Sequence, residues 1–275
     1  MPTAAVNDIT YHFEIAGQSA LDATTPLVLL HGFTGSGTNW HELANRLART
    51  IPIITIDLPG HGETDAPTTP ERYHMAPSAH DVITVLEQIT PGSFNLLGYS
   101  MGGRLALYMA VTNPQLVNKL ILESASPGLV DPAARADRVR SDEALADRIE
   151  REGIPAFVDY WERIPLFASQ ASLSSATRQR LRDQRLRNRP HGLANSLRGM
   201  GTGVQPALWD QLPTLAVPTL LLSGEFDEKF CAIADQMATL LPNARHQTIP
   251  QAGHTIHLEQ PAAYEAAVIT FLRGQ

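Results

Sequence analysis

The residues that could do chemistry gather around one serine. Gly98-Tyr99-Ser100-Met101-Gly102 is a G-x-S-x-G pentapeptide set between an apolar β-type run at 94–97 and a helical run at 105–111. In a strand–turn–helix setting such a serine occupies a tight turn that exposes Oγ, and the flanking glycines let strand and helix pass without Cβ clashes. A hydroxyl at its free pKa is a weak nucleophile and a weak base, so it needs an imidazole, and the imidazole needs a carboxylate to hold one tautomer. Of ten histidines, His254 in Gln251-Ala252-Gly253-His254 follows the last strand-like run, where a late loop returns to the strand ends. The acid belongs between serine and histidine in chain order. Asp227, after the run 219–222, is the favoured candidate; Glu123, closing the strand after the elbow helix, and Asp57, closing an earlier one, are its rivals.

Charge that develops beside Ser100 needs backbone donors. The Met101 amide, at the start of a helix, is one. The second is expected from Phe33, in His31-Gly32-Phe33 just after the run 26–30. That loop continues through Gly35, Ser36 and Gly37, small enough to cradle a phosphate, but it lacks both the G-x-x-x-x-G-K-[ST] lysine and G-x-G-x-x-G spacing. His254 and His257 form an His-x-x-His pair that could ligate a metal, yet no carboxylate or thiol cluster completes such a site. No metal and no cofactor are expected, and His257 reads as a packing or substrate-side residue. His61, in Pro59-Gly60-His61-Gly62, reads as a structural turn residue.

The elements that must position these groups alternate. Apolar runs at 26–30, 51–56, 94–97, 120–122, 219–222 and 247–249 predict buried parallel strands, and 11–15 predicts an antiparallel edge strand. Helical spacing recurs at 39–49, 77–89, 101–112, 231–241 and 261–272. From about 127 to 213 the strand signal stops, and Ala, Leu, Glu and Arg follow helical periods broken by Pro155, Pro165 and Pro190. The expectation is one α/β domain over 1–275: a mostly parallel central sheet with helices on both faces, a core of 1–126 and 214–275, and a helical lid of about 127–213 inserted between core strands.

With 275 residues and 43% hydrophobic content, the chain can bury one sizeable core. A net charge of -7 argues against nucleic acid as a partner. Cys231 is the only cysteine, and no apolar run reaches the ~20 residues that span a bilayer, which points to a cytoplasmic protein. The lid departs from the acidic balance: residues 130–200 hold 13 Arg, no Lys and 10 Asp+Glu, a net of +3. Most of these arginines suit solvated helix surfaces, but a few turned inward would grip carboxylates bidentately, which fits a small polyanionic substrate.

The runs Val28-Leu29-Leu30-His31-Gly32-Phe33 and Asp57-Leu58-Pro59-Gly60-His61-Gly62, with the elbow and Ala252-Gly253-His254, resemble α/β hydrolases over nearly the whole chain. The lid narrows the resemblance. Ser126-Pro127-Gly128-Leu129, the stretch Tyr160 to Phe167, and Gly201-Thr202-Gly203-Val204-Gln205-Pro206 are similar to the 2-succinyl-6-hydroxy-2,4-cyclohexadiene-1-carboxylate synthases of menaquinone and phylloquinone biosynthesis. The resemblance implies a lyase in which Ser100 acts as a base and pyruvate is expelled, with no acyl-enzyme. It also implies substrate contacts from Tyr99, Arg104, Arg138, Trp161, Arg187 and Lys229, with Arg135 an alternative to Arg138. Val130 departs from the pattern, standing where some members place a polar residue. The triad alone would point to a serine hydrolase of esters or C–C bonds with Ser100 as a covalent nucleophile, and a silent ligand receptor is a third class.

Overall fold

The computed structural model describes residues 2–17 and 24–274. Eight strands form one sheet: β1 (Thr3–Val6), β2 (Ile9–Ala16), β3 (Leu27–Leu30), β4 (Ile53–Ile56), β5 (Phe94–Tyr99), β6 (Val117–Glu123), β7 (Thr219–Gly224) and β8 (Ala244–Ile249). They lie in the order β1-β2-β4-β3-β5-β6-β7-β8. β1 pairs antiparallel with β2 and β2 antiparallel with β4; all other pairings are parallel. The central strands are largely apolar because both faces are covered, and alternation decides which face each residue serves. In β3, Leu27 and Leu29 pack with α1 (His41–Leu47) and α9 (Pro261–Leu272), whereas Val28 and Leu30 join the core under α2 (Met75–Ile89), α3 (Met101–Thr112) and α7 (Glu228–Leu240).

Two strand expectations differ from the structure. The predicted antiparallel edge strand is β2, but it is interior to the edge. β1, four residues with alternating burial, lies outside it, joined by a two-residue turn at Asn7 and Asp8 with φ of 49° and 63°. Asn and Asp tolerate that left-handed conformation, so the signal lay in turn chemistry and not in hydropathy. β8 starts at Ala244, earlier than its apolar end suggests, because an edge strand exposes polar residues such as Arg245 and Gln247.

Between β6 and β7 the chain leaves the sheet and forms α4 (Pro132–Trp161), α5 (Ser175–Leu186) and α6 (Pro190–Met200). Asp131 caps α4, accepting the Ala134 N–H at 2.7 Å, and Pro132 fills the first position, where no N–H is needed. Gly153, at φ 79°, breaks the helix two residues before Pro155, so one long stretch becomes two angled arms. α4 and α6 build a small core of their own from Ala146, Ile149, Phe157, Val158, Leu193 and Leu197, with Phe33 and Trp161 packed against it. This helical layer thus meets the loop that follows β3. Among the described residues, no helix is long and apolar enough to cross a membrane.

Candidate active site

The elbow is strained where the sequence requires it. Ser100 has φ 50° and ψ −108°, a conformation costing a non-glycine residue about 1–3 kcal/mol and tolerated only where the surroundings over-determine it. They do so here by close backbone contact: a Cβ on Gly98 would stand 2.3 Å from the Gly102 carbonyl oxygen, and one on Gly102 would stand 2.4 Å from that of Leu30. Any larger residue at either position would separate β5, α3 and β3 and withdraw the serine.

His254 Nε2 lies 3.1 Å from Ser100 Oγ, and His254 Nδ1 lies 2.6 Å from Asp227 Oδ2. With Nδ1–H donated to the carboxylate, Nε2 is left as the acceptor facing the serine. Asp227 is itself held: its Oδ1 accepts the Phe230 N–H at 3.4 Å, because it caps α7. The imidazole is 2% exposed and ringed by Phe230 at 4.7 Å, Tyr99 at 5.5 Å and Phe167 at 6.1 Å between centroids.

The rival acids are engaged elsewhere. Glu123, fully buried, accepts from His257 Nδ1 at 2.9 Å and from the His257 backbone N–H at 3.1 Å. Asp57 takes His12 Nδ1 at 2.9 Å and the Gly37 and Glu63 amides at 2.6 and 2.9 Å. The His-x-x-His pair is divided between Asp227 and Glu123 and does not converge on one point.

Among the described residues, neither the Phe33 nor the Met101 amide has an acceptor, and each belongs to a segment pressed against Ser100. Gly32 permits the approach, since a Cβ there would stand 2.6 Å from the Tyr99 ring. The loop is shaped by His31, whose Nε2 accepts the Leu58 N–H at 3.0 Å, so that Nδ1–H donates to the Gly32 carbonyl at 2.8 Å. From the helical layer, Gln184 and Asn188 both donate to the Thr34 carbonyl, at 2.8 and 3.0 Å. His61 packs under Phe33 with ring centroids 5.9 Å apart, its Nδ1 donating to Pro59.

Burial holds both of these histidines neutral. It lowers the His31 pKa and, with the proximity of the His31 imidazole adding to it, brings that of His61 down to about 3 from 6.5. Unfolding therefore takes up protons at any pH below the ordinary imidazole value. Stability is complete above pH 6.5 and should fall toward pH 3, with a slope of up to ~1.4 kcal/mol per pH unit per histidine. Urea unfolding at pH 7.5, 6 and 5 checks this: His61→Gln should flatten the fall, and a wild-type stability level over that range would refute it.

The other expected site residues separate into two groups. Tyr99 donates or accepts a hydrogen bond with Thr255 at 3.0 Å beside the triad, and burial keeps its phenol protonated. Trp161 stacks edge-on to Phe33 at 5.4 Å and to Phe167 at 5.6 Å, roofing the Phe33 loop. Arg104 projects from the elbow helix toward Met200 and Gln205; burial, then the charge of Arg138, lowers its pKa to about 9, still cationic at neutral pH. Arg138 pairs with Asp142 at 2.8 Å, whereas Arg135 is consumed by the carbonyls of Leu129, Val204 and Gln205.

Arg187 and Lys229 stand apart. Lys229 is exposed and lies over the outer Phe230 ring at 5.6 Å. Arg187 is exposed at the end of α5 and lines a surface groove of about 420 Å³ with Thr38, His41, Arg46 and Arg180. Two residues earlier, Arg185 points inward and was not among the sequence candidates. Its side chain is 5% exposed, sits 5.3 Å over Phe167, and lines a small cavity with His31, Gly32, Phe33 and Tyr99. Its hydrogen bonds are long, 3.4 Å to Glu162 and 3.4 Å to Gln170, and its Nε has no partner. Leu181, four residues earlier, lines the same cavity, and this i, i+4 stripe was the available signal. Val130 is 66% exposed and offers no polar contact.

The pattern of the alpha/beta hydrolase fold family matches residues 25–261. A relative from Serratia proteamaculans named 2-succinyl-6-hydroxy-2,4-cyclohexadiene-1-carboxylate synthase is 35% identical over 90% of this chain and 92% of its own. One from Bacillus subtilis, provisionally given the same name, is 48% identical over 91% of each chain. Among solved structures, MenH from S. aureus superposes with a TM-score of 0.89 at 39% identity, covering 96% of this chain and 98% of that one.

Proposed function

The chain belongs to the alpha/beta hydrolase fold family and, within it, to the 2-succinyl-6-hydroxy-2,4-cyclohexadiene-1-carboxylate synthases, and from that membership we infer that it is a carbon–oxygen lyase of menaquinone biosynthesis. It eliminates pyruvate from 2-succinyl-5-enolpyruvyl-6-hydroxy-3-cyclohexene-1-carboxylate to leave the cyclohexadiene. The observation that carries the catalytic assignment is the continuous chain Ser100 Oγ, His254, Asp227, at 3.1 and 2.6 Å.

In this reading Ser100 is the base. As Oγ takes the proton from the ring carbon, its own proton passes to His254 Nε2, and Asp227 stabilises the imidazolium. The electron pair released from carbon moves through the ring and expels the enolpyruvyl oxygen. The imidazolium proton then returns through Ser100 to the departing enolate, which becomes pyruvate. Charge that accumulates on an enolate-like oxygen meets the unspent Phe33 and Met101 amides, donors fixed before the reaction begins. Tyr99, Trp161 and Phe167 exclude water from the same space.

The substrate is a small molecule, and its polyanionic character explains the inward arginines. Arg185 is a buried cation whose Nε has no partner, a costly arrangement that a carboxylate would relieve, and Arg104, half-buried, keeps Nε and Nη2 free for the same purpose. Incubation with the enolpyruvyl precursor generated in situ should release one pyruvate per substrate. No pyruvate above background, together with rapid hydrolysis of short-chain aryl esters, would instead establish a serine hydrolase.

A further inference from the structure

Arg104 leaves α3 one turn beyond Ser100, and only one of its three nitrogens is occupied. Nη1 donates to the Met200 carbonyl at 2.7 Å and to Gln205 Oε1 at 2.5 Å, while Nη2 and Nε have no partner among the described residues. Those two share one edge of the guanidinium plane, the edge that takes a carboxylate bidentately. Pinning Nη1 from the opposite side therefore does more than satisfy a donor. It fixes the plane of the fork and the direction in which its free edge looks.

Gln205 is built to do the pinning. It is 2% exposed, and its amide cannot turn over, because Nε2 is already committed to the Ser126 carbonyl at 3.4 Å. Its backbone is fixed at both ends: the N–H donates to Gly201 at 3.0 Å, and the carbonyl accepts from Arg135 at 2.8 Å. Gly128, at φ 101°, clears the space, since a Cβ there would stand 2.9 Å from Gln205 Nε2. The residue type matters as much as the place. A carboxylate at this position would add a second anion to that of Asp142, neutralise Arg104 and compete with the substrate, whereas a carboxamide orients the cation without adding charge.

We propose that Gln205 is a positioning residue for the pyruvate elimination, holding Arg104 so that its Nε–Nη2 edge meets a carboxylate of the substrate. The proposal rests on the reading of Arg104 as a carboxylate partner. Gln205→Met keeps the buried volume and should raise KM about tenfold with kcat within about twofold, as expected for loss of a hydrogen bond that orients a charged group. Gln205→Glu, isosteric and hydrogen-bonding, should raise KM further, by about fiftyfold, because it supplies the competing anion. Because a carboxylate cannot donate to the Ser126 carbonyl, a purely structural role is recognised instead by losses in KM and in Ser100 labelling that run in parallel. Labelling of Ser100 by a neutral fluorophosphonate should keep its rate within about twofold in both variants, and Gln205→Met should add nothing to Arg104→Met, since residues in one network are not additive.

If Gln205→Met leaves KM unchanged while Arg104→Met raises it, the positioning role is overturned and the carboxylate role of Arg104 stands. If Arg104→Met leaves KM unchanged, the carboxylate role fails and the positioning role with it. Equal slowing of Ser100 labelling and of pyruvate release would show a general disturbance of the elbow, and would overturn the proposal as well.

Discussion

Ser100→Ala should lower the rate of pyruvate release by about 10²–10⁴-fold, the contribution of a positioned base, leaving that of substrate binding and the backbone amides. The size of the loss follows from the geometry. His254 Nε2 is 3.1 Å from Oγ and the imidazole is enclosed by Tyr99, Phe167 and Phe230, so with Oγ gone the ring has no short path to a carbon-bound proton. Because the three groups work as one unit, Ser100→Ala/His254→Ala should be no slower than Ser100→Ala alone. Asp227→Asn should also cost several orders of magnitude by favouring the wrong tautomer of His254, with the Phe230 cap retained through Oδ1. Single-turnover pyruvate release, monitored by a coupled dehydrogenase, measures all three. Ser100→Ala retaining more than about a tenth of the wild-type rate, against the large triad effects ordinarily seen, would remove serine as the base.

Arg185→Met should lower kcat/KM by about 100-fold, chiefly through KM, while Arg187→Met should stay within about threefold. Arg185 is a cation whose burial lowers its pKa, opposed first by Glu162. Glu162 gives Arg182 its shorter contact, 2.7 Å against 3.4 Å for Arg185, and so compensates the inner arginine poorly. A substrate carboxylate entering beside Tyr99 would complete the set. Ser100 labelling by a neutral probe should be nearly the same in both variants, which separates recognition of charge from the state of the triad. Comparable losses in Arg185→Met and Arg187→Met would restore Arg187 as a substrate contact. A normal KM in Arg185→Met would leave Arg185 a structural partner of Glu162.

Much of this molecule is written locally. The elbow is five contiguous residues whose steric demands are visible in their types, and the strained φ of Ser100 with the near-contact of Gly98 and Gly102 is their direct consequence. Strand and helix order follows from short apolar runs alternating with helical spacing, and the helical segment between β6 and β7 from a long stretch without any strand signal. Chain order favoured Asp227 as the acid but left Glu123 as a rival. Asp227 and Glu123 follow or close adjacent parallel strands. The turn from His254 into α8 (Ile256–Glu259) sends His257 to Glu123 and leaves His254 to Asp227, a pairing made only when that turn packs against the strand ends.

The arginines were decided by helical phase. At ~3.6 residues per turn, two residues are about 200° apart, so Arg185 and Arg187 look in opposite directions, and nothing in their type says which one faces the triad. Docking of α5 on the Phe33 loop, through Gln184 and Asn188 to the Thr34 carbonyl, turns Arg185 inward. By itself the sequence determined the nucleophilic elbow, the candidate base and acids, and the arginine-rich insertion, because those are properties of residue type and short spacing. Only the tertiary structure decided which carboxylate serves which histidine and which arginines face the serine, because both depend on contacts between segments far apart in the chain.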